Sequence, residues 1–130
     1  IKSFQKIAVI IDTSGSIDDE SLSLFFTEIH AMWKKRAEIL VIECDDAVGQ
    51  TYPYRGKFPK GVSGRGGTEF NPAFEYLQKE RKRKKFDGCI YLTDGFATVP
   101  TIKPPCKLLW VLTPDGTDEN LAFGSNVSLS

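Results

Sequence analysis

Asp12, Ser14 and Ser16 stand at alternate positions of the stretch IDTSGS, a carboxylate and two hydroxyls within one short segment. A second aspartate, Asp94, closes YLTDG, and Thr68 follows the pair Gly66-Gly67. Oxygen donors of these types suit a hard divalent cation, Mg²⁺ or Mn²⁺, far better than Zn²⁺. Two carboxylates would balance one divalent charge, and the hydroxyls would add donors without adding charge. A coordination position left open would then attract a carboxylate from outside.

These residues need elements that bring them together. The apolar run Ile7–Ile11 ahead of Asp12 suits a strand buried on both faces, as parallel sheets require. Gly15 allows a sharp turn just past its end. A helix is expected from about Asp18, with acidic residues at its positive end and Lys34, Lys35 and Arg36 at its close. Leu22, Phe25, Phe26, Ile29, Met32 and Trp33 form its core-facing stripe.

Ile39–Cys44 reads as a second buried strand ending in Asp45-Asp46, and Val48–Tyr54 as an edge strand because of Gly49 and Pro53. Arg55–Gly67 is a glycine-rich loop. Asn71-Pro72 reads as an N-cap followed by proline at the first position of a second helix, which ends in the basic run Lys79–Lys85. Gly88–Asp94 and Lys107–Thr113 are buried strands, separated by a proline-rich connection, and Val127–Leu129 is a short strand in the tail. Ile1–Lys6 is a polar lead-in. The alternation predicts an α/β fold of three layers, with a mostly parallel central sheet, an antiparallel edge strand and helices on both faces. Open sheets of this kind bind ligands at the carboxyl ends of their strands. Asp12 and Asp94 share one crevice if their strands are neighbours.

The whole chain reads as one domain of 130 residues. Its 17 basic and 17 acidic side chains cancel, so no overall field favours nucleic acid or an anionic membrane. Its apolar runs are strand-sized, short of the roughly 20 residues of a membrane span. The first residue is Ile, as expected of a piece of a longer protein. Cys44, Cys89 and Cys106 lie in or beside apolar runs and lack metal-knuckle spacing. Reduced core thiols in a reducing compartment are expected, with one disulfide and a free thiol as the alternative. His30, the one histidine, falls on a helix as a surface or boundary residue.

Other chemistries fit less well. The glycine-rich loop lacks the Gly-Lys-Ser/Thr of a phosphate-binding loop, and no GxGxxG follows the first strand. Lys79–Lys85 has no aromatic platform for nucleic acid and reads as a solvated helix end. Phe25, Phe26, Trp33, Phe74 and Trp110 read as core, whereas Tyr52, Tyr54, Phe58 and Phe70 are candidates to flank the site from exposed positions. An Mg-dependent phosphatase or hydrolase using Asp12 as nucleophile is the alternative function. It needs a second carboxylate where Ser14 stands, and that change removes the general acid.

The set Asp12, Ser14, Ser16, Thr68 and Asp94 resembles the metal-ion-dependent adhesion site of von Willebrand factor A-type (VWA) domains. The likeness covers nearly the whole chain. A closer likeness is to the short bacterial VWA-like domain that follows a predicted metallopeptidase domain, carried by IDTSGS, ECDDAV, GRGGTEFNPAF, IYLTDG, LLWVLT and the closing FG. The resemblance implies a Rossmann-like fold, Ser14 and Ser16 as direct ligands, and Thr68 as a ligand directly or through water. It implies that Asp12 and Asp94 supply charge partly through bound waters. Asp45 either backs the ligands or simply turns the chain, while Arg65, Gly67 and Gly95 flank the position of an acidic ligand.

Longer A-type domains carry a full helix after the Asp94 strand and a mobile terminal helix. Here a proline-rich connection and a short tail stand instead, which does not fit their affinity switch. The expected function is a cytoplasmic, non-enzymatic interaction module whose metal accepts a carboxylate from a partner protein or an adjoining domain.

Overall fold

The computed structural model describes residues 5–130, so most of the expected lead-in lies outside the described residues. The elements run β1 (Lys6–Asp12), α1 (Asp19–Lys34), β2 (Glu38–Cys44), β3 (Val48–Pro53), α2 (Asn71–Glu80), β4 (Gly88–Thr93), β5 (Lys107–Leu112) and β6 (Gly124–Ser128). They build one six-stranded sheet in the order β3-β2-β1-β4-β5-β6. Only the β2–β3 pairing is antiparallel among the described residues. This is the three-layer, mostly parallel α/β architecture with an antiparallel edge.

Period-two alternation divides each central strand between two cores. Val9 and Ile11 of β1 join Val41, Leu92 and Val111 beneath Phe25, Phe26 and Ile29 of α1. Ala8 and Ile10 join Ile42, Tyr91 and Trp110 beneath Ala73, Phe74 and Leu77 of α2. Covering on both faces is why these strands read as continuous apolar runs. Asp18 caps α1, its carboxylate accepting the Ser21 N–H at 2.8 Å.

The details depart from expectation in four places. Asn71 is not the N-cap of α2; it is the first helical residue, and Phe70 at the cap makes no side-chain bond. The Asn71 amide oxygen instead accepts the Thr101 and Ile102 N–H groups at 2.9 and 3.0 Å, tying the proline-rich connection to the helix start. Trp33 is 36% exposed rather than core, because it lies at the last turn of α1 against His30 and Tyr54.

Tyr54 and Phe70 are buried, so neither flanks the site from the surface. Tyr54 bonds His30 Nδ1 through its hydroxyl at 2.6 Å, and Phe70 packs edge-on against Tyr91 and Trp110. Finally, the last strand spans Gly124–Ser128 rather than 127–129. It lies parallel to β5 and is exposed throughout.

Candidate functional site

β2 lies on one side of β1 and β4 on the other, so the chain reverses its order of strand addition at β1. Such a switch point opens a crevice at the carboxyl ends of the strands. Asp12 ends β1, and Asp94 follows the last residue of β4. The pairing of β1 with β4 therefore brings the two carboxylates to one rim.

Asp12 is fully buried. Its Oδ1 accepts the Ser14 N–H at 2.9 Å, closing the turn locally, and its Oδ2 accepts the Thr93 hydroxyl at 2.5 Å. Burial pushes the Asp12 carboxyl above the usual range, against the lowering effect of the bonds from Ser14 and Thr93. The hydroxyls continue outward as a row. Ser14 Oγ lies 3.1 Å from Ser16 Oγ, and Ser16 Oγ donates to Asp94 Oδ2 at 2.9 Å. Asp94 Oδ1 accepts the Phe96 N–H at 3.1 Å. One rim thus holds both carboxylates and both serines.

The glycine-rich loop docks on this turn through its backbone. Gly15 N–H donates to the Gly66 carbonyl and Arg65 N–H to the Thr13 carbonyl, both at 2.8 Å. Asp45 receives the loop from β2: its Oδ2 accepts the Gly66 N–H at 3.1 Å and its own carbonyl accepts the Glu69 N–H at 3.0 Å. Partial burial raises the Asp45 carboxyl, yet the N–H bonds from Ala47 and Gly66 outweigh it and leave it below the ordinary range. Thr68 is half-buried and lies between these two anchors, Gly66 and Glu69.

Arg65 is exposed and stands in the loop that docks on this turn. It sits at φ +73° and its guanidinium donates to the Ile17 carbonyl at 2.5 Å. Gly67 has open space where a Cβ would stand. Gly95 has none: at φ +82° an added Cβ would lie 2.0 Å from the Thr117 carbonyl oxygen.

Two supporting residues escaped the sequence reading. Thr93 bridges Asp12 and the Gly95 N–H through its hydroxyl. The signal was present, since a buried carboxylate demands a donor and the β1–β4 register runs on from Ile11↔Leu92. Glu43, fully buried in β2, accepts the Ser63 N–H and hydroxyl at 2.8 Å each and the Tyr52 hydroxyl at 3.0 Å. An acidic residue inside the run EILVIEC was the hint; its partners lie 9 and 20 positions away. Thr13 Oγ1 and Tyr91 OH are buried without a hydrogen-bond partner, the first of them within the turn itself.

Among the described residues, no group of three or more His, Cys, Asp or Glu side chains is placed to hold a metal ion. Any cation here would rest on two carboxylates and neighbouring hydroxyls. That donor chemistry fits a hard ion and excludes a zinc site of the usual nitrogen and sulfur type.

A mostly parallel sheet covered on both faces, with a polar rim at its switch point, defines a doubly wound α/β domain. The chain belongs to the family described as VWA-like domain (DUF2201), whose model matches residues 7–130. VWA-like domains commonly mediate protein interactions. An uncharacterized protein of Thermotoga maritima is 30% identical over 119 residues, covering 89% of this chain. The chain spans 29% of that protein's length. The crystal structure of the ArnB paralog VWA2 from Sulfolobus acidocaldarius superposes with a TM-score of 0.57 at 19% identity, over 86% of this chain and 35% of that one. That likeness concerns the fold.

Proposed function

We propose that this domain is a divalent-metal-dependent interaction module, with Mg²⁺ or Mn²⁺ held by Asp12, Ser14, Ser16, Thr68 and Asp94. The observation that carries the reading is the row of Ser14 Oγ, Ser16 Oγ and Asp94 Oδ2, spaced 3.1 and 2.9 Å apart. Adjacent ligands of an octahedral Mg²⁺ stand about 2.9 Å apart, the diagonal of bonds of about 2.0–2.1 Å. A cation replacing these hydrogen bonds therefore asks little movement of the oxygens. When bound, it supplies an electrophilic position for a carboxylate oxygen of the partner. Asp12 supplies charge from beneath, held in place by Thr93, while Asp45 and Glu43 fix the loop that carries Thr68.

The acidic group comes from a partner protein or from an adjoining domain of the same chain. The short span relative to the Thermotoga maritima protein favours an attached segment, and a metallopeptidase domain is the segment that the resemblance noted above implies. The module then recruits or positions rather than catalyses. No helix among the described residues is long and apolar enough to cross a membrane, and three free cysteines suit the reducing cytoplasm.

Thermal unfolding with and without Mg²⁺ or Mn²⁺ tests the reading. Stabilisation in the parent chain that disappears in Ser14→Ala/Ser16→Ala, without turnover of an aryl phosphate, supports it. Binding of either metal by that variant as tightly as by the parent sinks it. Phosphatase turnover lost in Asp12→Asn would establish the enzyme instead.

A further inference from the structure

Cys89 and Cys106 form a second chemical feature, near the opposite end of β4 from the Asp94 rim. Cys89 is buried in β4, where it pairs with Leu108 of β5. Cys106 stands one residue before β5 and packs on the same core as Cys89, beneath the face that α2 covers. Both are free thiols, and they are diagonal neighbours on one face of the sheet, since Cys106 stands two positions before Leu108, the partner of Cys89. Only the outer one is open: Cys106 is half-buried and lines a surface cavity of about 550 Å³ together with Arg81, Lys82, Lys84 and Lys85. Among the described residues, the ion pairs of this basic run engage Lys79 and Arg83 and leave those four cations without a carboxylate.

We infer that Cys106 and Cys89 are a peroxide-responsive thiol pair, with Cys106 the attacking sulfur and Cys89 the resolving one. A partly exposed thiol at the edge of a cationic cavity is the form of cysteine that reacts with oxidants. A neighbouring thiol lets the product stop at a disulfide before over-oxidation. The third cysteine provides the contrast. Cys44 is buried beneath the candidate metal site, and burial pushes its thiol up to about 12, which keeps it protonated and inert. The neighbouring Cys89 thiol holds Cys106 below the ordinary thiol range and is itself raised.

The chemistry balances with hydrogen peroxide as oxidant. The Cys106 thiolate attacks the distal oxygen; an S–O bond forms, the O–O bond breaks, and the leaving hydroxide takes a proton to become water. Sulfur is oxidised by two electrons and the peroxide is reduced by two. The Cys89 sulfur then attacks Cys106, an S–S bond forms, the S–O bond breaks, and the departing hydroxide leaves as water with the Cys89 proton. The resulting bridge ties the proline-rich connection before β5 to β4.

The test treats the reduced chain with hydrogen peroxide and maps each thiol by alkylation and peptide mass spectrometry. In the untreated chain Cys106 is expected to alkylate at least ~10-fold faster than Cys44. After peroxide, Cys106 and Cys89 are expected to lose alkylation together, to appear as one cross-linked peptide, and to recover with dithiothreitol. Cys106→Ser, at a partly exposed position that keeps the fold, is expected to leave Cys89 reduced. Cys89→Ser is expected to leave a sulfenic acid on Cys106 that dimedone traps. Equal reactivity of Cys106 and Cys44, or oxidation of Cys106 in the parent chain with Cys89 still free, overturns the proposal. The parent-chain mapping decides the matter even if a variant misfolds.

Discussion

Ser16 Oγ donates to Asp94 Oδ2 across 2.9 Å, joining the turn after β1 to the turn after β4 over a separation of 78 residues. The bond closes the outer edge of the crevice at the switch point. Ser16→Ala removes it and leaves the buried Asp94 carboxylate with the Phe96 N–H bond, so a loss of about 1–3 kcal/mol is expected in urea denaturation. The same variant is expected to lose most of any Mg²⁺-dependent rise in Tm, which separates a metal role from a purely local bond.

Glu43 anchors the glycine-rich loop from outside it, through Ser63. It is fully buried, and its carboxylate accepts bonds from Ser63 and Tyr52. Glu43→Ala strands those donors and is expected to cost about 3 kcal/mol. Limited proteolysis should cut within residues 55–67 faster than in the parent chain. An unchanged cleavage rate would show that the loop is held by its backbone bonds to Thr13 and Gly15 alone.

Gly95 and Gly67 both border the site, yet they differ in what a methyl group meets. Gly95→Ala places an L-residue at φ +82° with its Cβ against the Thr117 carbonyl, and a loss of about 3 kcal/mol or more is expected. Gly67→Ala meets open space and is expected to stay within about 0.5 kcal/mol of the parent. Paired chemical denaturation curves check the contrast.

Tyr91 carries a buried hydroxyl without a partner beneath the rim. Removing an unsatisfied polar atom while keeping the ring leaves the stacking on Trp110 intact. Tyr91→Phe is therefore expected to be neutral or to gain up to about 1 kcal/mol in urea denaturation. A loss larger than that would reveal a bonding partner for the phenol.

Asp18 gives the pH dependence a definite sign. The Ser21 N–H holds its carboxyl below the ordinary aspartate range, so the folded state binds its proton less readily than the unfolded chain. Its contribution is fully present above the unfolded value and fades as pH falls through the lowered folded value. Asp18→Asn keeps a cap but not the charge. The stability difference between parent and variant should shrink in acid and hold steady from pH 5 to about 8.

The elements and most of the polar rim were legible in the chain itself. Continuous apolar runs ahead of Asp12 and Asp94 determined buried strands, because a strand covered on both faces has no polar side to show. The stripe through Phe25, Phe26 and Ile29 determined α1, since 3.6-residue spacing is a local property. Asp12, Ser14 and Ser16 share one turn by spacing alone.

What tertiary structure decided were pairings between distant segments. Only the sheet order makes β1 and β4 neighbours, and only their register sets Thr93 opposite Asp12. Asn71 had the type and place of a cap, but the Thr101 and Ile102 N–H groups took its oxygen once the connection folded over it. Tyr54 and Phe70 went inward because neighbouring elements left space to fill. Cys89 and Cys106, 17 positions apart, share one face of the sheet because β4 and β5 pair in parallel. Local periodicity states what each segment must bury; which group satisfies a buried charge or hydroxyl depends on packing across the whole sheet.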